Sequence, residues 1–304
     1  GPFEGILGLG LPQAEAPAGG GNDLLAKSFV DQGGIPRFSV CFNEGGADGV
    51  LRLSPPPPGS PQHGSIGRSH WGLDLRGVSV GGAAVGGASN ASDALFCGPS
   101  EKREGQVTAC GAIPDSGTTV MMGPAEHLSK LFSGICERWS RCSDAAAQAP
   151  HASKSETFMS LLDSCSDWAS GGDVSEMPPL HFTVAGSDGV EQRLELPAAS
   201  YMMRGKAQEV EHHYKYLFGV LPVDLLAPTG RQVDICTPAF GVTEYNTVLN
   251  GQIWILGTPI FYAYQVHYDV ASQPPSVSFS DAPCGGCSEG ADEDSPTASF
   301  LLRK

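Results

Sequence analysis

Apolar and polar positions alternate in short runs along most of the chain, and turn-forming clusters separate those runs. Phe38-Ser39-Val40-Cys41-Phe42 predicts a strand. A Gly-rich turn over 45–49 and Val50-Leu51-Arg52-Leu53 complete a hairpin. His70 to Leu75 and Gly77 to Val80 predict two more strands. Further on, 180–184, 193–196, 213–223, 253–269 and 277–279 read the same way. Helical spacing is rarer. Asn22-Asp23 caps an apolar run over 24–30 that Gly33-Gly34 stops, and Pro124 to Phe132 carries apolar residues three and four apart. Residues 54–69 and 81–93 are predicted as loops, and 140–157 as a surface insertion.

Composition sharpens this picture. The 304 residues include 40 Gly and 24 Pro, which favours short strands joined by turns over a helix bundle. A formal net charge of −15 speaks against nucleic acid or an anionic membrane surface as partner. No apolar run is long enough to span a bilayer. Nine cysteines without zinc-ribbon spacing indicate disulfides made in a secretory or endomembrane compartment. The sequon Asn90-Ala91-Ser92 agrees with that. Residues 288–297 read as an acidic, solvated tail.

The candidate chemistry centres on Ala112-Ile113-Pro114-Asp115-Ser116-Gly117-Thr118-Thr119-Val120. An Asp followed by small and hydroxyl residues, bracketed by apolar positions, belongs on a tight turn at the end of a buried strand. Taken alone, it reads first as an Asx-turn between strands. An internal echo changes the weighting. Ile6-Leu7-Gly8 near the start recurs as Ile255-Leu256-Gly257 near the end.

Together these runs resemble the pepsin-like aspartic peptidases. That family carries hydrophobic-hydrophobic-Asp-Ser/Thr-Gly-Ser/Thr once per lobe, and each lobe supplies a hydrophobic-hydrophobic-Gly run beside its aspartate loop. Trp254 to Asp269 resembles the family's C-terminal signature, and Phe3 to Gly10 the equivalent run of the first lobe, with Glu4 where Asp is usual. Met177 to Phe182 and Leu196 to Tyr201 are similar to further second-lobe strands.

The resemblance implies an all-β fold with a few short helices. It would be bilobal, with the second lobe complete and the first partial: 1–75 the end of the first lobe and the interlobe region, 76–284 the second lobe, and 285–304 an acidic tail or linker. It implies an aspartic endopeptidase acting on extended polypeptides, with no cofactor and no metal. Asp115 is the expected catalytic carboxylate. Ser116 would support it, Thr118 would brace the loop, and Gly117, Thr119, Ile255, Leu256 and Gly257 would complete the setting.

The resemblance further implies Cys97–Cys110 and Cys165–Cys236 bonds. Cys41 and Cys284 resemble an interlobe bond of β-secretase-like and some plant relatives, and Cys136–Cys142 would close a local loop. That leaves Cys287 over. The run from Phe38 to Gly46 is also similar to plasmepsin V-like relatives, which are membrane-anchored, so any anchor would lie outside this chain.

Two departures stand out. Asp115 occupies the one Asp-Ser/Thr-Gly run, so the expected second aspartate and flap would precede Gly1. The chain is then expected to be a fragment, a processed product or an incomplete gene model, inactive by itself. Pro114 removes a backbone donor where the family has an apolar residue. It is harmless if that donor has no partner, and otherwise it weakens the loop. The competing expectation is a non-catalytic pepsin-like protein that binds a partner or ligand through the cleft.

Other signals point away from chemistry. Cys284-Gly285-Gly286-Cys287 has redox spacing but no helix to lower a thiol pKa. His212-His213 forms no metal motif, Gly5 to Gly10 lacks a dinucleotide-binding context, and Tyr214, Tyr216, Tyr262, Tyr264 and Tyr268 read as strand packing.

Overall fold

A computed structural model describes residues 5–11, 29–43, 45, 47–81, 94–169, 173–217, 221–286 and 298–302. The predicted helix at 24–30 lies mostly outside these residues. Helix α1 (Phe29–Gln32) does end at Gly33-Gly34, where Gly34 takes φ +60°. Strands β1 (Arg37–Cys41) and β2 (Gly49–Leu53) form the predicted hairpin, Phe38 facing Leu53. The expected loop at 54–69 contains a short strand, β3 (His63–Gly64), with His63 fully buried against Gln192 at 2.9 Å. Its Pro- and Ser-rich surroundings hide any alternation.

The two strands expected over 70–80 are one, β4 (Leu73–Val80), with a register shift between Leu75 and Gly77. That bulge breaks the alternation in the sequence. β5 (Cys110–Pro114) and β6 (Met121–Gly123) flank the Asp115 loop. Helix α2 (Ala125–Arg138) starts after Pro124 and buries Leu128, Leu131 and Ile135 on one face. The 140–157 stretch, expected as a surface insertion, carries one helix and the start of another. α3 (Ser140–Gln148) is joined to α2 by the Cys136–Cys142 disulfide, and α4 (Lys154–Asp163) begins at a reciprocal Ser153/Glu156 cap.

β7 (Leu180–Ala185) and β8 (Glu191–Leu196) follow, then α5 (Ala198–Tyr201). A long two-stranded arm comes next, β9 (Met202–Leu217) against β10 (Leu221–Pro238). It is far longer than the predicted strand over 213–223, because Gly205, Pro228 and Gly230 outside that run are weak strand formers. β11 (Phe240–Val242), β12 (Asn246–Thr247) and β13 (Gly251–Leu256) lead into α6 (Thr258–Ala263), then β14 (Gln265–Asp269) and β15 (Ser276–Ser280). The strand expected over 253–269 is therefore interrupted by a helix. Pro259 in its first turn suits helix entry.

β16 (Ala298–Leu302) pairs antiparallel with β2, so the expected tail over 285–304 includes a strand. Ala298-Ser299-Phe300-Leu301-Leu302 is apolar, unlike the acidic run before it, and it covers an otherwise open edge. Asn90-Ala91-Ser92, Cys287 and the acidic 288–297 lie outside the described residues.

Besides the two-stranded β9–β10 arm, two larger sheets organise the described elements, and the all-β architecture is as expected. One is six-stranded, in the order β16-β2-β1-β14-β15-β3. The other runs β11-β6-β13-β5-β4-β7-β8, with β12 on β13. Trp254, Phe96, Phe182, Leu73 and Leu75 are buried in its core. Disulfides Cys97–Cys110, Cys165–Cys236 and Cys41–Cys284 are formed as well. The last ties β1 to the segment after β15. Among the described residues, no helix is long and apolar enough to cross a membrane.

Candidate active site

Asp115 sits where β5 ends. β5 runs parallel to β13, with Ile113 opposite Ile255 and Pro114 opposite Leu256. The Asp115 amide then donates to the Leu256 carbonyl at 3.1 Å. Position 114 turns its amide the other way, toward β4, by strand alternation. β4 begins at Leu73, opposite Ala112, and does not reach that far. Pro114 therefore forfeits no ladder bond.

The half-buried carboxylate of Asp115 is held on both oxygens. Gly117 N–H donates to Oδ1 at 2.9 Å, and Thr118 Oγ1 donates to Oδ2 at 2.6 Å. The first contact is the Asx-turn that the residues alone suggest. The second assigns carboxylate support to Thr118. Ser116 is exposed and makes no hydrogen bond to Asp115. A side chain at 116 points off the turn, whereas the third residue after the Asp folds back over it.

Gly257 closes the loop from the other side. A Cβ there would lie 2.2 Å from the Val120 carbonyl oxygen and 2.6 Å from that of Thr118, so no larger residue fits. The next residue, Thr258, donates its amide to Thr118 O at 2.8 Å and its hydroxyl to Thr119 O at 2.6 Å. Thr119 is thus held through its backbone, its side chain exposed. Leu256 is fully buried behind the loop, and Ile255 is partly buried.

A third support comes from the six-stranded sheet. Tyr268 donates its hydroxyl to the Pro114 carbonyl at 3.0 Å. Its ring stacks on Phe38 at 4.6 Å and meets Trp71 edge-on at 5.0 Å. Burial, with the Asp115 charge nearby, holds the Tyr268 phenol well above its ordinary value. Trp71 in turn donates to Leu9 O at 2.9 Å, anchoring the segment 5–11. Thr258, Tyr268, Trp71 and Phe38 escaped assignment from sequence. Tyr268 and Phe38 stand in alternating runs where an aromatic ring reads as core. Thr258 offers one signal, its place directly after the Ile-Leu-Gly run.

These groups enclose a cavity of about 470 Å³. Asp115, Ser116 and Gly117 form one wall, and Ile6, Leu7 and Gly8 another. Phe38, Trp71 and Tyr268 line it between them. The structure thus brings the first Ile-Leu-Gly run to the same cavity as Asp115. Unlike Leu256, though, Ile6 is 94% exposed and Leu7 50%.

Elsewhere, Cys97, Cys110 and His127 place three potential ligand atoms within 4.8 Å of one another. The two sulfurs are already bonded together, and His127 Nδ1 takes the Trp254 indole N–H at 3.2 Å. Burial lowers the His127 pKa, which keeps the ring an acceptor for that bond. With both sulfurs in a disulfide, the cluster offers no thiolate to a metal in this state.

An all-β protein whose aspartate loop joins β5 to β6 across the end of β13, closed by Ile-Leu-Gly, is consistent with a pepsin-like fold. The comparisons with known proteins point the same way. No family model matches the chain. It is similar to cathepsin E of Mus musculus, 29% identical over 147 residues covering 44% of this chain and 30% of that protein. It is also similar to cathepsin E of Cavia porcellus, 30% identical over 146 residues covering 44% and 31%. The chain spans about a third of the length of the curated relatives it matches. The likeness supports the pepsin-like family for this chain, at low identity and over part of its length.

Proposed function

We propose that this chain is part of an aspartic endopeptidase in which Asp115 is one of two catalytic carboxylates. The observation that carries the reading is the Asp115 carboxylate, hydrogen-bonded on both oxygens and standing at the wall of a cavity large enough for a peptide segment. Two close carboxylates share one proton, because both cannot ionise together. One then accepts a proton from water as it attacks the scissile carbonyl, while the other donates. The substrate is an extended polypeptide, bound partly through its backbone.

In this reading the second carboxylate would be supplied by a further segment of the same or another chain. Ile6-Leu7-Gly8 marks where it docks. Ile255-Leu256-Gly257 lies against the Asp115 loop, and a second Asp-Ser/Thr-Gly loop would lie in the same way against the first run. In that arrangement 1–75 close the first lobe and support the interlobe sheet, 76–284 form the second lobe, and 285–304 form a tail ending in a strand. The four disulfides support folding in the secretory or endomembrane pathway. The Cys41–Cys284 bond supports the likeness to β-secretase-like relatives.

The test is Asp115→Asn in the longest form of the protein that cleaves peptides. Peptidase activity should fall by at least about a hundredfold, the usual scale for losing an acid–base group. Circular dichroism and the unfolding midpoint should stay as they were. Undiminished activity would remove Asp115 from the mechanism. If the segment docking on Ile6-Leu7-Gly8 proves to carry no carboxylate, a binding protein of the same fold replaces the peptidase.

A further inference from the structure

A second cavity, of about 270 Å³, opens beside the Cys41–Cys284 disulfide and shares no lining residue with the Asp115 cavity. It lies where the end of β1 meets α6 and the segment after β15. Phe42, Tyr262 and Tyr264 give it aromatic walls. Phe42 is fixed edge-on against Phe261 at 6.0 Å and tilted against Tyr262 at 5.6 Å. Tyr264 is locked by its hydroxyl, which receives the Glu195 amide at 2.7 Å and donates to the Glu195 carbonyl at 3.1 Å. These rings are therefore set in place rather than free to collapse inward.

The polar groups left over have one character. Asp281 lines the cavity, is exposed, and makes no hydrogen bond or ion pair with any of the described residues. Asn43 spends its amide hydrogens on the Asp48 and Gly285 carbonyls, each at 2.8 Å, so its side-chain oxygen remains as an acceptor. Among the described residues, no Lys, Arg or His lines the space. The Arg52 guanidinium stands beside the disulfide, donating to the Cys284 carbonyl at 2.6 Å and lying 3.5 Å from Cys41 Sγ, and among the described residues it makes no ion pair with Asp281. A carboxylate, a spare amide oxygen and the faces of aromatic rings all favour positive charge that carries hydrogen-bond donors.

We propose that this cavity is a docking site for the cationic side chain of a Lys or Arg on a polypeptide, held by Asp281 and Asn43 against the rings of Phe42 and Tyr262. The site stands apart from Asp115 and does not depend on the peptidase reading. A protein bound here would be held by a basic residue while its backbone remained outside. With a net charge of −15, the surrounding surface adds attraction for a basic partner.

The probe is Nα-acetyl-lysine methylamide, with the norleucine analogue as its uncharged counterpart, titrated into the 304-residue chain and followed by amide NMR shifts. The expected result is weak, saturable binding, on the order of millimolar for a single side chain. Shifts should be confined to residues 41–43, 261–264 and 281–284, and norleucine should bind at least about tenfold more weakly. Asp281→Asn should weaken the lysine probe about tenfold without moving the unfolding midpoint. Asp163→Asn, which removes the same charge from the exposed face of α4, should leave binding unchanged. Equal binding of norleucine, undiminished binding by Asp281→Asn, an equal loss with Asp163→Asn, or shifts centred elsewhere would each overturn the proposal.

Discussion

Tyr268→Phe isolates one contact on which the Asp115 loop depends. The substitution removes a single oxygen and keeps the ring. Stacking on Phe38 and the edge contact with Trp71 therefore persist, and no cavity of consequence is left. What disappears is the 3.0 Å hydrogen bond to the Pro114 carbonyl. That carbonyl is on a buried residue, on the side of β5 that β4 does not reach, so no other strand replaces the donor. Leaving a buried acceptor without its partner costs about 1–3 kcal/mol, more than the net worth of a typical hydrogen bond.

Urea unfolding reads this directly. With a slope of about 3 kcal/mol per molar for a chain of this size, the midpoint should fall by about 0.3–1 M while the slope holds. In the peptide-cleaving form, activity should fall as well, because Pro114 precedes Asp115 and the loop loses its tether. Tyr268→Leu should cost more, since the ring contacts go too. An unchanged midpoint in Tyr268→Phe would refute the idea that this hydroxyl holds the loop.

Two other outcomes follow from the same geometry. Gly257→Ala should destabilise by at least about 2 kcal/mol, because its Cβ would meet two backbone carbonyls that cannot rotate away, whereas Gly205→Ala, whose Cβ meets Ile235 at 3.7 Å, should stay within about 0.5 kcal/mol; urea midpoints compare them. Alkaline pH should unfold the protein through buried phenols: burial raises Tyr201, Tyr264 and Tyr268, so the folded state keeps protons that the unfolded state gives up, and stability should be level below about pH 10 and fall above it. Midpoints measured from about pH 8 to about pH 11 test the sign, and a flat profile would contradict the burial.

What could be read in the sequence was whatever repeats locally. β1, β7 and β15 set small or polar residues between apolar ones, which reads as a strand although both faces of each are largely buried, and α2 announces itself by Pro124 and its spaced leucines. The Asp115 run was visible because a carboxylate turn needs small and hydroxyl neighbours. What could not be read was set by partners distant in sequence. Whether Ser116 or Thr118 reaches the carboxylate depends on how the turn folds back. α6 hid inside an aromatic run that suits strand and helix alike, and only Pro259 hinted at the helix. Tyr268 lies 154 positions from the carbonyl it holds, and no periodicity links the two.

The two Ile-Leu-Gly runs carry this point furthest. They have the same three residues, yet Leu256 is fully buried with its carbonyl bonded to Asp115, while Leu7 is half exposed and Ile6 nearly wholly so. The difference is in what each run packs against, not in the run itself. Burying an Ile or Leu side chain from full exposure is worth about 1.5–3 kcal/mol. A segment closing over Ile6 and Leu7 would recover most of that for Ile6 and about half for Leu7. The first wall of the Asp115 cavity thus has the energetics of an interface, while the second is already core. Since the Trp71 indole holds Leu9 in place, the exposed run is presented in a fixed position rather than left to fold onto itself. Docking there would bring its own backbone alongside Asp115, so the step that covers the apolar wall would be the same step that completes the site.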